Sequence, residues 1–121
     1  MKLNKERMDL FENKSENKLI KQIKHYLIKK NQYQNPKLSI DSMAHDLNID
    51  TQQVIQLFDY QMSTSFNDYV LQLRINRAIK LLKDNEFLNS GSIYSTVGFK
   101  SNTTFYNAFK KITGKSPSDY R

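Results

Sequence analysis

The chain has 121 residues, no cysteine and a formal net charge of +7, a length that suits one domain with or without a tail and leaves room for only a small core. Disulfides and thiol chemistry are excluded, no apolar run approaches the roughly 18 residues of a membrane span, and the N-terminus is too polar for a signal peptide, so a cytoplasmic protein fits. The surplus of positive charge suggests an anionic partner.

Residues 1–16 are polar and weakly periodic and read as a tail or linker. A helix is predicted over 17–32, where Leu19, Ile20, Ile23, Tyr26 and Leu27 recur at helical spacing with lysines opposite. Asn35-Pro36 ends it. Ser39 caps a short helix over 39–47 with Ile40, Met43, Ala44 and Leu47 inward, and Asn48 takes the turn, where a left-handed conformation is tolerable. Asp50 caps the next helix, 50–60, with Gln53 completing a capping box and Val54, Leu57 and Phe58 inward. Ser65 opens the longest helix, 65–83. It carries two apolar stripes: Phe66, Tyr69, Val70 and Leu73 on one face, and Leu71, Ile75, Ala78 and Leu82 on another. A helix apolar on two sides is covered on two sides, which suits a strut between two lobes. About 19 residues at 1.5 Å each give roughly 28 Å.

A helix over 89–97 follows, with Gly91 as its weak point, and Gly98 makes the turn after it. Ser101 caps helix 101–112, with Phe105 and Phe109 inward, and Gly114 ends it. Ser116-Pro117-Ser118-Asp119 then reads as a helix start: a cap, a proline in first position, an acid in third. The expected fold is all-α, with seven helices. Two helix-turn-helix lobes, about 17–64 and 85–121, are joined by a linking helix over about 65–84.

The two halves repeat. Phe58, Ser65, Asp68 and Tyr69 each stand 51 residues before Phe109, Ser116, Asp119 and Tyr120. Charge is spread less evenly. Residues 1–36 hold 9 basic and 4 acidic side chains, residues 37–83 hold 5 and 5, and residues 84–121 hold 5 and 3. The first lobe's helix-turn-helix is therefore locally neutral, and phosphate attraction should come mainly from its flanks.

Catalysis has little to stand on. His25 and His45 are isolated, without a second ligand at helical or turn spacing. Three glycines make no phosphate loop. Neither a metal nor a cofactor is implied, and the chain does not read as an enzyme. The helices at 50–60 and 101–112 differ from ordinary solvated helices. Their free faces carry Thr51, Gln52, Ile55 and Gln56 in one, and Asn102, Thr103, Tyr106 and Asn107 in the other. Amides and hydroxyls dominate where a lysine-rich chain would usually place charges. Amide side chains pair bidentately with adenine in the major groove.

Ile93, Gly98-Phe99, Phe105, Phe109-Lys110, Gly114, Ser116-Pro117 and Tyr120-Arg121 together resemble the DNA-binding domain of the AraC/XylS family of bacterial transcription regulators. The first half agrees at Leu38, Ala44, Leu47, Phe58, Phe66, Tyr69, Arg74, Ala78 and Leu81-Leu82, so the likeness covers about residues 17–121. It implies a sequence-specific regulator of double-stranded DNA that places two recognition helices in successive major grooves, with their polar faces on one side of the molecule. Base contacts would fall on Gln52, Ile55 and Gln56 in the first helix and on Asn102, Thr103, Tyr106 and Asn107 in the second. Phosphate contacts would fall on the amides of Ser39 and Ser101 and on Lys100, Lys110 and Lys111. RNA polymerase is the protein partner the resemblance implies.

Three positions depart from that pattern. Many members have arginine where Gln56 and Asn107 stand, a small residue where Tyr94 stands, and glycine where Ser63 stands. The family's domain usually follows a sensor, which this chain does not contain. The chain therefore reads as an output domain of a larger, membrane-linked or soluble regulator, or as a small stand-alone one. The neutral first lobe and the absent arginines also admit a helical protein-interaction module, or a relative that has lost specific DNA binding.

Overall fold

A computed structural model describes residues 18–84 and 92–120. Every regular element among them is helical. Helix α1 runs over residues 18–29 and its last turn, His25–Lys29, widens to a π-turn. It stops earlier than the sequence suggests. Asn31 takes a left-handed conformation, φ 57°, and Gln32–Gln34 form a separate 3-10 turn before Pro36 is reached. A short polar side chain makes that conformation accessible.

Helix α2, Ile40–Leu47, opens on a reciprocal cap. Ser39 Oγ accepts from Ser42 N–H, and Ser42 Oγ accepts from Ser39 N–H, both at 3.0 Å. Asn48 ends α2 with φ 56°, as its place in the turn requires. Helix α3, Thr51–Leu57, continues into a π-turn over Phe58–Met62. Asp50 caps it by accepting from Gln52 N–H at 2.9 Å. The expected reciprocal bond from Gln53 is not among the contacts; that side chain instead lines a groove shared with α1. The left-handed position after α3 is Ser63, φ 52°, and 51 residues later the same role falls to Gly114, φ 79°. Serine carries a cost of roughly 1–2 kcal/mol there that glycine does not.

The strut is α4, Phe66–Lys83, whose 18 residues span about 27 Å. Its two stripes go to two cores. Phe66 and Val70, with Tyr69 and Leu73 beside them, pack with Ile23, Leu27, Met43, Val54 and Phe58 of lobe one. Ile75, Ala78, Leu81 and Leu82, with Leu71 beside them, pack with Ile93, Val97, Phe99, Phe105 and Phe109 of lobe two.

In lobe two, α5 is only Ile93–Thr96. The expected start of this helix at 89, and Gly91 with it, lie outside the described residues. Helix α6, Asn102–Thr113, is capped by Ser101, whose Oγ accepts from Thr104 N–H at 3.1 Å. The expected seventh helix is a single 3-10 turn, Pro117–Tyr120, so six α-helices stand among the described residues. Its closing bond runs from Asp119 N–H to Ser116 O, the tight three-residue spacing that short turns adopt. It still does the work the repeat assigns to it. Tyr120 meets Phe109 edge-on at 5.2 Å between ring centroids, as Tyr69 meets Phe58 at 5.7 Å in lobe one. Tyr94, where a small residue is usual, is half-buried against the lobe-two core.

The lobes meet at a junction around Arg74. Arg74, midway along α4, donates from Nε to Tyr33 O at 2.6 Å and from a terminal nitrogen to Asn35 O at 3.0 Å. Its guanidinium lies 5.6 Å from the centre of the Phe99 ring, and burial pulls its pKa below the usual arginine value. Gly98, φ +105°, sits against the same group. A Cβ there would stand 2.8 Å from Tyr33 O and 2.9 Å from Arg74 Nε.

Candidate nucleic-acid interface

Two helices carry the candidate base-reading residues, and in both the apolar spacing decides which side chains are left outside. In α3, Val54, Leu57 and Phe58 are buried. The face opposite them carries Gln52 and Gln56, four apart, one above the other and both exposed. Ile55 is placed differently. It is half-buried and leans toward Ile40, Phe58 and Phe66, lining a small pocket with them. Thr51 is tied to α2, its hydroxyl donating to Asp41 Oδ1 at 3.2 Å. The exposed stripe of α3 is therefore narrower than the sequence suggests, and two amides dominate it.

In α6, Phe105 and Phe109 are buried and Asn102, Thr103, Tyr106 and Asn107 are all exposed. Tyr106 keeps 43% of its surface free. Helical phase divides this set. Thr103, Asn107 and Lys110 follow one another up the centre of the outer face, at i, i+4 and i+7, while Asn102 and Tyr106 form its edge. Lys111 is turned about 100° further round. Lys110 thus shares the stripe of the two candidate base readers, and Lys111 flanks it.

The other phosphate candidates are exposed or half-exposed. Lys100 is exposed immediately before the α6 cap, and Ser101 is half-buried with its hydroxyl shared between Thr104 N–H and Thr104 Oγ1, the latter at 2.8 Å. Ser39 is exposed, but its backbone N–H is already taken by Ser42 Oγ. The dipole of α2 still favours an anion at this end.

Sequence reasoning missed two features. One is Tyr60, 81% exposed on the π-turn that prolongs α3; nothing in the local pattern announces a π-turn. The other is Arg74, visible as a matching position but not as the residue that joins the lobes. Among the described residues no cluster of histidines, aspartates or glutamates could hold a metal ion, and no helix is long and apolar enough to cross a membrane.

The pattern of a family described as "Helix-turn-helix domain" matches residues 43–121. The Msm operon regulatory protein of Streptococcus mutans is 34% identical over 84 residues, which are 69% of this chain and 30% of that protein. The melibiose operon regulatory protein of Escherichia coli strain K12 is 31% identical over the same share of this chain and 28% of its own. The chain thus spans under a third of the length of these relatives. Among solved structures, the C-terminal domain of AraT, a response regulator from Geobacillus stearothermophilus, superposes with a TM-score of 0.77 and 26% identity, covering 84% of this chain and 82% of that one. The C-terminal domain of the two-component response regulator yesN from Fusobacterium nucleatum gives 0.73 and 27%, covering 87% and 96%.

Proposed function

Because this chain belongs to the AraC-type family of helix-turn-helix transcription regulators, we propose that it reads double-stranded DNA with α3 and α6 set in successive major grooves on one side of the duplex. The observation that carries this reading is the strut. One helix of about 27 Å holds a separate core at each end, and adjacent grooves on one face repeat every 34–36 Å or so. Each core supports a helix whose outer stripe is rich in amides and hydroxyls. Gln52, Gln56, Thr103 and Asn107 contact base edges, Tyr106 and Asn102 border them, and Ile55 flanks the first set at the pocket it lines with Ile40 and Phe66. Lys100, Lys110 and Lys111 meet phosphates, with the capped ends of α2 and α6 at Ser39 and Ser101. In the cell the chain works in the cytoplasm as the output part of a regulator, with a sensor or dimerisation domain elsewhere in the protein and RNA polymerase as the partner it recruits or blocks.

Fluorescence titration of a mixed-sequence duplex at two salt concentrations tests the reading against a helical protein-interaction module. Affinity falls steeply with salt if phosphates are neutralised. Lys110→Ala and Lys111→Ala each weaken binding to all sequences about equally. Binding that ignores salt, or a loss confined to one sequence, contradicts phosphate anchoring.

Specificity should follow from the amides. Gln56 and Asn107 favour A·T pairs beneath them. Asn107→Arg should move one position toward G, a change on the order of 1–3 kcal/mol for a bidentate contact. Selection from a random DNA pool with both proteins checks this, and identical preferred sequences remove Asn107 from the base-reading set.

A further inference from the structure

The first helix-turn-helix and the strut after it, residues 37–83, hold as many acids as bases, yet a recognition helix in a major groove lies between two negatively charged strands. The two flanks of α3 are built differently. On one side Ile55 and Asp59 line a pocket with Ile40, Phe66 and Asn67. On the other side Gln53 faces an open groove whose far wall is α1, at Lys18, Leu19 and Gln22, with the α2–α3 turn as its floor. The groove continues along α1 past Lys21 and His25 to Lys30, over Tyr26 and Leu47.

We propose that this α1 groove is a phosphate track, holding the DNA strand that borders the first major groove, with Lys18 and Lys21 as its cationic contacts. The inference rests on the DNA-binding reading above. Gln53 stands about 100° round α3 from Gln52, so the α1 wall lies beside the base-reading stripe, where a bordering strand passes, and not behind it. Lys18, Lys21 and Gln22 are all exposed. Among the described residues, the two acids that border the groove are occupied within the fold. Asp50 accepts from Gln52 N–H at 2.9 Å as the α3 cap, and Asp46 accepts from the Tyr26 hydroxyl at 2.7 Å. The positive charge that the helix-turn-helix of lobe one lacks is thus supplied by α1, across the turn from its recognition helix.

The test compares wild type, Lys18→Gln/Lys21→Gln and a charge-matched control, Lys24→Gln/Lys80→Gln, on one labelled mixed-sequence duplex across a salt series. Lys24 lies two positions beyond Gln22 on α1 and faces away from the groove; Lys80 belongs to a different groove, beside Ile28 and Arg77. Each lysine that neutralises a phosphate contributes about 0.9 to the slope of log affinity against log salt, so the groove variant loses about 1.8 and its gap to wild type narrows roughly tenfold between about 50 and 200 mM salt. The control keeps the wild-type slope, Lys18→Arg/Lys21→Arg restores it, and circular dichroism confirms the same helix content in all variants. Salt-dependent wild-type binding with an unchanged slope in the groove variant overturns the track alone. Equal loss of slope in the control also overturns it, since net charge would then be the cause. A wild type that fails to bind duplex DNA overturns the DNA-binding reading and the track with it.

Discussion

Gly98→Ala is expected to destabilise the protein by about 3 kcal/mol or more, and to lower Tm by roughly 10–20 °C. Two effects add. The backbone at this position has φ +105°, which an L side chain rarely adopts, a strain of order 1–3 kcal/mol. The new Cβ would also stand 2.8 Å from Tyr33 O, 2.9 Å from the Gln34 carbonyl carbon and 2.9 Å from Arg74 Nε. Two of those neighbours are backbone atoms, and the third is held by its own hydrogen bond to Tyr33 O, so none can move aside cheaply. Gly114→Ala separates the two effects. Gly114 has φ +79° but no atom within 4 Å of the added Cβ, so only conformational strain applies, about 1–2 kcal/mol. Thermal unfolding followed by circular dichroism reads both. A Gly98→Ala melting point within a few degrees of the Gly114→Ala value would mean that the junction is looser than its geometry indicates.

Arg74→Met should cost about 3–4 kcal/mol, since hydrogen bonds from a charged group contribute roughly 1.5–3 kcal/mol each; two are lost, the one to Asn35 O is exposed and so lies at the low end, and part of the stem packing survives. The substitution leaves Tyr33 O and Asn35 O without the donor that now spans them, and it removes the guanidinium from the Phe99 ring. The consequence of most interest is a loss of cooperativity. Each lobe keeps its own core, and α4 passes through both. With the junction cut, calorimetry should show a broadened or divided unfolding transition, and affinity for a duplex that engages both recognition helices should fall more than affinity for a short duplex that can engage only one. A single sharp transition at the wild-type temperature would show that the strut alone sets the relation of the lobes. Arg74→Lys keeps the charge but loses the fork that reaches two carbonyls, and should fall nearer to methionine than to wild type.

The sequence by itself determined which segments are helical, where most of them begin, and which face of each goes inward. Those properties are local. Ser39, Asp50, Ser65 and Ser101 each satisfy an amide two or three residues ahead, and the period of 3.6 residues places Phe105 with Phe109 and Gln52 with Gln56 whatever lies nearby. The double stripe of α4 announced two cores, and the 51-residue repeat announced that Tyr69 and Tyr120 play matching parts. The all-α fold and both candidate reading faces follow from these signals. Several boundaries did not, because they depend on choices that many sequences allow: the π-turns that end α1 and prolong α3, the left-handed Asn31, and the 3-10 turn in place of a last helix.

Tertiary structure alone decided the rest, and the reason is separation along the chain. Arg74 reaches Tyr33 and Asn35 across 41 and 39 residues. Neither end of that contact carries a pattern that names the other. The same holds for the close seat of Gly98, for Ile55 turning into a pocket formed with Ile40 and Phe66, and for Lys18 of α1 meeting the turn before α3. Periodicity says that a lysine is outside. Only the packing of α1 against α2 and α3 places Lys18 on the groove that Gln53 of α3 lines, with Lys21 further along it, where a solvated charge becomes a candidate contact with DNA.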